Sequence, residues 1–273
     1  MTSTALDSFE LSGVGRGRLL AAGTTLLGNE RPVLDWDGAA YPEHAANGPE
    51  RRVTVPHPFG MLDAPVTVAA MSALCPEVFA ADQPVFCLGP GGSIDEPWMS
   101  RPFHEVNRRD DDPVVGVTWD EAVTFCRALS ARLGRRVRLP TEVEWEFAAR
   151  AGSRSLYSWG DDVRAGGEFA WTDRNSGMQV RPVRTRRPNA WGLFDMAGNV
   201  WEWCADAFRT GGDVTGGGAP RRSIRGGSSC HHATATRSAH RFGRPATERN
   251  AFLGFRCVIE AAGRSVGGRG DAQ

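Results

Sequence analysis

Lysine is missing from this 273-residue sequence: all 32 basic side chains are arginine, matched by 32 aspartates and glutamates. That balance leaves no global field to draw in nucleic acid or an anionic membrane surface, so neither is expected as a partner. The short arginine clusters (Arg135, Arg136 and Arg138; Arg184, Arg186 and Arg187) read instead as solvated faces or salt-bridge donors. Cysteine is scarce, with six residues and no CxxC pair. This excludes a disulfide-built scaffold and argues against a structural zinc knuckle. No apolar run reaches the ~20 residues of a membrane span, and no charged-then-apolar leader opens the sequence. The expected location is the cytoplasm.

Turn-forming residues are abundant by contrast. The 33 glycines and 17 prolines suit a loop-rich fold with little regular structure. The length fits one large domain. Its expected extent is residues 16–262, after a flexible N-terminus over 1–15 and before a disordered Gly- and Arg-rich tail over 263–273. Residues 52–55 and 64–70 read as strands, and residues 76–113, rich in Pro, Asp and Gly, as a long irregular stretch. Two helices carry strong start signals. Thr118 and Glu121 form a capping box, in which the hydroxyl accepts from an orphan amide and the carboxylate reaches back. Ala122, Phe125, Cys126, Leu129 and Leu133 then line one face, and Gly134 is a natural stop. Thr141 and Glu144 form a second box, whose helix is expected to reach about Ala151 and to bury Val143, Phe147, Ala148 and Ala151. Beyond Gly152 the helical period is lost, and residues 211–218 read as a flexible loop.

Three segments are more specific than composition. LPTEVEWEFAARAG spans 139–152 and PNAWGLFDMAGNVWEWC spans 188–204; RGGSSC spans 225–230, followed by RSAHR at 237–241 and LGFRC at 253–257. Together they strongly resemble the formylglycine-generating-enzyme (sulfatase-modifying factor) superfamily. That superfamily includes the sulfatase-activating oxidase, a pyoverdine-maturation enzyme and the C-terminal halves of ergothioneine- and ovothiol-type sulfoxide synthases. The resemblance implies an irregular α+β fold of C-type-lectin-like kind. It also implies a calcium ion at the GNVWEW turn, with side-chain oxygens from Asp195 and Glu202 and carbonyls from Gly198 and Val200, an all-oxygen set suited to a hard cation. Read from the residues alone, Asp195 and Glu202 would instead cap turns and pair with arginine. Cys126 and Cys257 match positions that are disulfide-bonded in a secretory-pathway relative, so they are expected to be neighbours. In a reducing compartment they would be free thiols, and Cys204 a buried small hydrophobe.

The sulfatase-activating relative carries two cysteines, five apart, after its GGS turn, and these bind copper(I) as soft thiolates. Here a single Cys230 follows Ser228, then come His231 and His232, and position 235 is alanine. The parent copper mechanism is therefore not expected. The candidate catalytic residues are Cys230, His231, His232, Ser228 and Trp201. In an extended segment Cys230 and His232 would share one side. With a third ligand from His240, His104 or His57 they could hold copper or iron; the alternative is that these histidines are surface or hydrogen-bonding groups. The substrate pocket of the relative falls on Trp201, Ser228, Phe252 and Arg237 here. Arg237 and Arg241 also suit structural bridges between loops. No Ser–His–Asp order stands out, and residues 216–218 are a glycine run without the Lys or helix of a phosphate loop. The sulfoxide synthases take iron from a separate domain, so their chemistry would need a partner protein.

The expected function is an oxidoreductase of this superfamily that oxidises a small molecule or peptide in a biosynthetic pathway, with metal and O2. The alternatives are a non-catalytic ligand-binding or partner-dependent module and, third, formylglycine generation on a sulfatase-type cysteine. Convergence of Cys230, His231 and His232 beside Trp201 would favour the enzyme. Splaying on an open surface would favour the binding module.

Overall fold

The structure, a computed structural model, describes residues 7–29, 49–88, 99–209 and 221–261. The loop expected at 211–218 and the tail expected at 263–273 lie outside these residues. In chain order the chain forms β1 (Ser8–Leu11), β2 (Gly15–Leu20), β3 (Gly23–Leu27), β4 (Arg51–Val55), β5 (Phe59–Leu62), α1 (Val68–Leu74) and α2 (Pro76–Ala80). There follow β6 (Pro84–Cys87), β7 (Met99–Pro102), α3 (Phe103–Val106), α4 (Trp119–Leu133), β8 (Val137–Arg138) and α5 (Glu142–Arg150). The remainder holds α6 (Asp173–Ser176), β9 (Trp201–Ala207), β10 (Arg221–Arg225), β11 (Arg241–Pro245), β12 (Leu253–Gly254) and β13 (Val258–Glu260), with 3-10 turns at Val163–Glu168 and Ala233–Thr236. One sheet runs in the order β1-β2-β5-β13-β8, a second in the order β11-β10-β9-β12, and β3-β4 and β6-β7 are separate pairs. This is the irregular, mixed α+β architecture that the resemblance implies, and its many loops suit the glycine and proline content. Among the described residues no helix is long and apolar enough to cross a membrane.

Both capping boxes form. The Thr118 N–H donates to Glu121 at 2.9 Å and the Glu121 N–H to the Thr118 hydroxyl at 3.3 Å, and α4 stops at Gly134 with φ 61°. Its face buries Ala122, Phe125, Cys126 and Leu129, and Phe125 packs edge-on to Phe255. Cys126 and Cys257 are neighbours in this core, free and buried, with Sγ atoms 3.5 Å apart. In α5 the Thr141 hydroxyl accepts from the Glu144 N–H at 3.2 Å. Thr141→Ala is expected to cost about 1 kcal/mol and to lower Tm by about 2–4 °C, measured by thermal denaturation.

The burial of α5 differs from its amphipathic pattern. Trp145, Glu146, Ala149 and Arg150 are buried as well as Phe147 and Ala148. The reason is position: α5 packs against four strands, β3, β4, β9 and β10. Its two inward charges pair with each other, Glu146 to Arg150 at 2.8 Å.

Three local readings are corrected. Residues 64–70 are not a strand: Thr67 accepts from the Ala70 N–H and caps α1, and the strand lies earlier, at β5. The N-terminal segment does not fray throughout, because β1 pairs with β2 from Ser8↔Arg18 to Leu11↔Gly15. Residues 76–113 contain α2, β6, β7 and α3 rather than one irregular run. The deciding bonds are a side-chain cap within the first run and strand pairing across a turn or loop in the other two, which local composition does not record. The strand read at 52–55 is β4. The arginine clusters do act as donors: Arg138 bonds Glu144 and Glu260, Arg136 pairs with Glu260, Arg184 with Asp63, and Arg187 with Glu168.

Candidate functional site

The site grows from two turns strapped together. The first is Gly198–Asn199, where Asn199 takes φ 60° and its side chain clamps the Arg181 backbone, accepting from N–H and donating to C=O at 2.9 Å each. Gly198 is obligatory here: a Cβ would meet the Trp171 carbonyl at 2.1 Å. The second turn follows β10. Gly226 and Gly227 have φ 101° and 72°, and a Cβ on Gly227 would meet the Ala235 carbonyl at 2.8 Å. The Ser229 N–H donates to the Asn199 carbonyl at 2.9 Å, and the Ser176 hydroxyl to the Ser229 carbonyl at 2.6 Å.

These ties bend the Ser228–His231 segment into a turn rather than the extended strand expected from sequence; the His231 N–H donates back to the Ser228 carbonyl at 3.1 Å. The bend reverses the expected pairing of side chains. His231, not His232, reaches Cys230. Ser228 Oγ lies 2.7 Å from His231 Nδ1 and 3.4 Å from Cys230 Sγ, and Cys230 Sγ lies 3.3 Å from the same Nδ1. His232 instead caps the Ala233–Thr236 turn, its Nδ1 accepting from the Thr234 N–H at 3.3 Å. His240 Nδ1 faces Arg237 at 3.2 Å. His104 pairs with Asp82 at 2.7 Å, and His57 is exposed between β4 and β5. The set Cys230, His232 and His240 is thus not assembled, and no trio of His, Cys, Asp or Glu side chains among the described residues could hold a metal ion.

Trp201 forms the wall. Its ring meets His231 edge-on at 5.5 Å, His240 at 5.7 Å and Phe242 at 6.3 Å. Phe252 is buried in the same apolar cluster as Trp201 and Cys230, and its carbonyl accepts from the Trp201 N–H at 2.8 Å. Cys230 is 4% exposed and Ser228 fully buried. Burial pushes the Cys230 thiol up to about 11 against the Ser228 hydrogen bond, which lowers it. Burial, helped by the positive charge of Arg244, pulls His231 down to about 4. At neutral pH the pair is therefore thiol and neutral imidazole. A chain from S–H to the Ser228 oxygen and from its O–H to Nδ1 gives each group one partner.

Sequence reasoning missed Phe242, Arg244 and Asp173. Asp173 donates its N–H to the His231 carbonyl at 3.2 Å, and its Oδ1 is buried with no hydrogen-bond partner. The Thr172–Asn175 capping box marks the start of α6 and was the available signal for that turn.

Two buried carboxylates, Glu202 and Asp195, lie near the Gly198–Asn199 turn in sequence, and Asp195 contacts it. Glu202 accepts from Trp145 Nε1 at 2.8 Å, and from Arg256 at 2.7 Å on each oxygen. Asp195 accepts from the Arg184 N–H at 2.8 Å and from the Asn199 amide at 3.4 Å. Turn-capping and arginine pairing, the plain reading of these two residues, are both present. The Gly198 and Val200 carbonyls accept no hydrogen bond among the described residues. Two carboxylates and two unengaged carbonyls fit calcium in kind, with Arg256 already answering the charge of Glu202.

Residues 14–261 match the family described as sulfatase-modifying factor enzyme 1-like domain. The chain belongs to that family. Its curated relatives include the formylglycine-generating enzyme of Streptomyces coelicolor, 35% identical over 180 residues that cover 58% of this chain and 55% of the relative. The inactive C-alpha-formylglycine-generating enzyme 2 of Bos taurus is also 35% identical, over 184 residues covering 61% and 56%. This family member thus spans only about half the length of the curated relatives it matches, and those relatives include one named as inactive. PvdO from Pseudomonas aeruginosa shares the fold, with a TM-score of 0.73, 24% identity and coverage of 95% of this chain and 100% of that one.

Proposed function

We propose that this family member is an oxidoreductase acting on a small molecule or peptide through the Cys230 thiol. The supporting observation is the contact triangle of Ser228, Cys230 and His231 against Trp201. A buried thiol beside a neutral imidazole is a weak nucleophile at pH 7 but a latent soft-metal ligand. Cys230 and His231 would hold copper, for which thiolate and imidazole are both suited, and bound copper would supply one-electron and oxygen chemistry. This donor pair replaces the one drawn from sequence. Ser228 Oγ, 3.4 Å from the sulfur, would accept a hydrogen bond from the Cys230 thiol before copper binds and would donate one to the thiolate afterwards. Trp201 and Phe252 exclude water from the sulfur. Asp195, Gly198, Val200 and Glu202 would hold calcium, which would tie the Gly198–Asn199 turn and with it the carbonyl that anchors Ser229.

Anaerobic titration of the full chain with copper(I) against a competing chelator tests the reading. One equivalent should bind. Cys230→Ala should weaken it by at least about 100-fold and His231→Gln by about 10-fold, a range typical of lost ligands and their neighbours. His232→Gln should leave it unchanged. Copper that stays with the chelator, or equal binding by Cys230→Ala, rules the reading out. A second reading, a ligand-binding or partner-dependent module without catalysis, is supported by the slight exposure of Cys230 and the missing second cysteine at this turn. It predicts no oxygen uptake with copper-loaded protein and any thiol substrate.

A further inference from the structure

A pocket of about 310 Å³ lies on the other side of β10 and β11, bounded by the β3–β4 pair and the first turns of α5; Gly28, Arg51, Glu142, Glu146, Arg225 and Arg241 line it. Its charges do not cancel. Glu142 and Arg241 neutralise each other at 2.7 Å. The single carboxylate of Glu146 is shared by two guanidiniums, Arg150 on one oxygen and Arg225 on the other. All three residues of this triad are buried, so it carries a net positive charge in a place where an unanswered charge is costly. Five carbonyls answer it in part: Gly28 and Ser155 accept from Arg150, and Ser238, Ala239 and His240 from Arg225. Arg225 Nε still has no acceptor. Arg51 adds a second positive charge from the exposed edge of β4, with no carboxylate partner among the described residues.

We propose that this pocket binds a small oxyanion, of the phosphate class, whose charge answers the Glu146 triad and Arg51 together. Planar guanidiniums suit such an anion because they present paired N–H donors. Arg225 links the pocket to the Cys230 site: the carbonyls that it holds include that of His240, whose ring packs on Trp201. Binding does not depend on the copper reading, and its test uses neither copper nor turnover.

Inorganic phosphate is the probe, added to the full chain in a buffer with EDTA and compared with sodium chloride at equal ionic strength. Calorimetry should give one site, and phosphate at ten times Kd should raise Tm by about 3 °C. Arg51→Ala should weaken binding about fivefold. Arg51→Glu should remove it, with Tm in chloride within about 1 °C of the parent because Arg51 is exposed. Phosphate that stabilises no more than chloride overturns the proposal. So does Arg51→Glu protein that binds within twofold of the parent, since general salt exclusion would act on both alike.

Discussion

Replacing Arg256 with leucine is expected to destabilise the fold by about 3–5 kcal/mol, which urea denaturation at constant slope would measure. Arg256 and Glu202 have no solvent exposure, and both carboxylate oxygens accept from the one guanidinium. Without Arg256 the Glu202 charge keeps only the Trp145 N–H. The Leu62 and Phe194 carbonyls lose their donor as well. The cost is that of a stranded buried charge, not the net worth of the pair. Accordingly Glu202→Met combined with Arg256→Leu should recover much of the loss, because removing both partners leaves no uncompensated charge. A single-variant loss below about 1 kcal/mol would show that water reaches Glu202 and that the turn is not dry.

Asp195 carries the second prediction, which tests the calcium proposal through pH. Burial pushes its carboxyl from 3.8 up to about 6, against the opposing hydrogen bond from the Arg184 N–H. A folded-state value above the unfolded one means that the unfolded chain gives up this proton first. Stability from this group is therefore full below pH ~4, falls as pH rises to ~6, and stays reduced above it. The penalty at neutral pH is about 1–3 kcal/mol. In EDTA, Asp195→Asn should then be more stable than the parent at pH 7.5 and lose that advantage at pH 4. Asparagine also tolerates the φ of 54° found at this position. His231 changes in the opposite sense, since burial lowers it and its contribution is lost as pH falls from ~6.5 to ~4. The difference between parent and variant cancels that effect. In millimolar calcium the order at pH 7.5 should reverse, because a bound cation favours the ionised carboxylate. An order that ignores calcium would sink the calcium proposal and leave Asp195 as a turn cap.

The legible parts of this protein are those whose physics is local. Thr118 with Glu121 and Thr141 with Glu144 satisfy helix-end amides within four residues, so both helices could be read without any knowledge of the fold. The Ala64–Ala70 region misled because its apolar run resembles a strand, while the decisive bond, from the Ala70 N–H to Thr67, is a cap inside that run. The family segments were legible as motifs, and the match over residues 14–261 agrees with them. The pairing of Cys126 with Cys257, a statement about position alone, also came through.

The chemistry after Ser228 was not legible in the same way. Assuming an extended chain put Cys230 and His232 on one side. The segment is bent by the Asn199 carbonyl, the Ser176 hydroxyl and two positive-φ glycines, and the bend brings His231 onto Cys230 instead. The same limit applies to buried charge. Nothing near Glu202 in sequence names Arg256 as its partner, and nothing near Glu146 names Arg225. Sequence by itself determined the helix caps, the residue types at the turn and the family. Only tertiary structure decided which side chains face each other. Direction after a turn and the pairing of buried ions depend on groups that chain folding brings from tens of residues away.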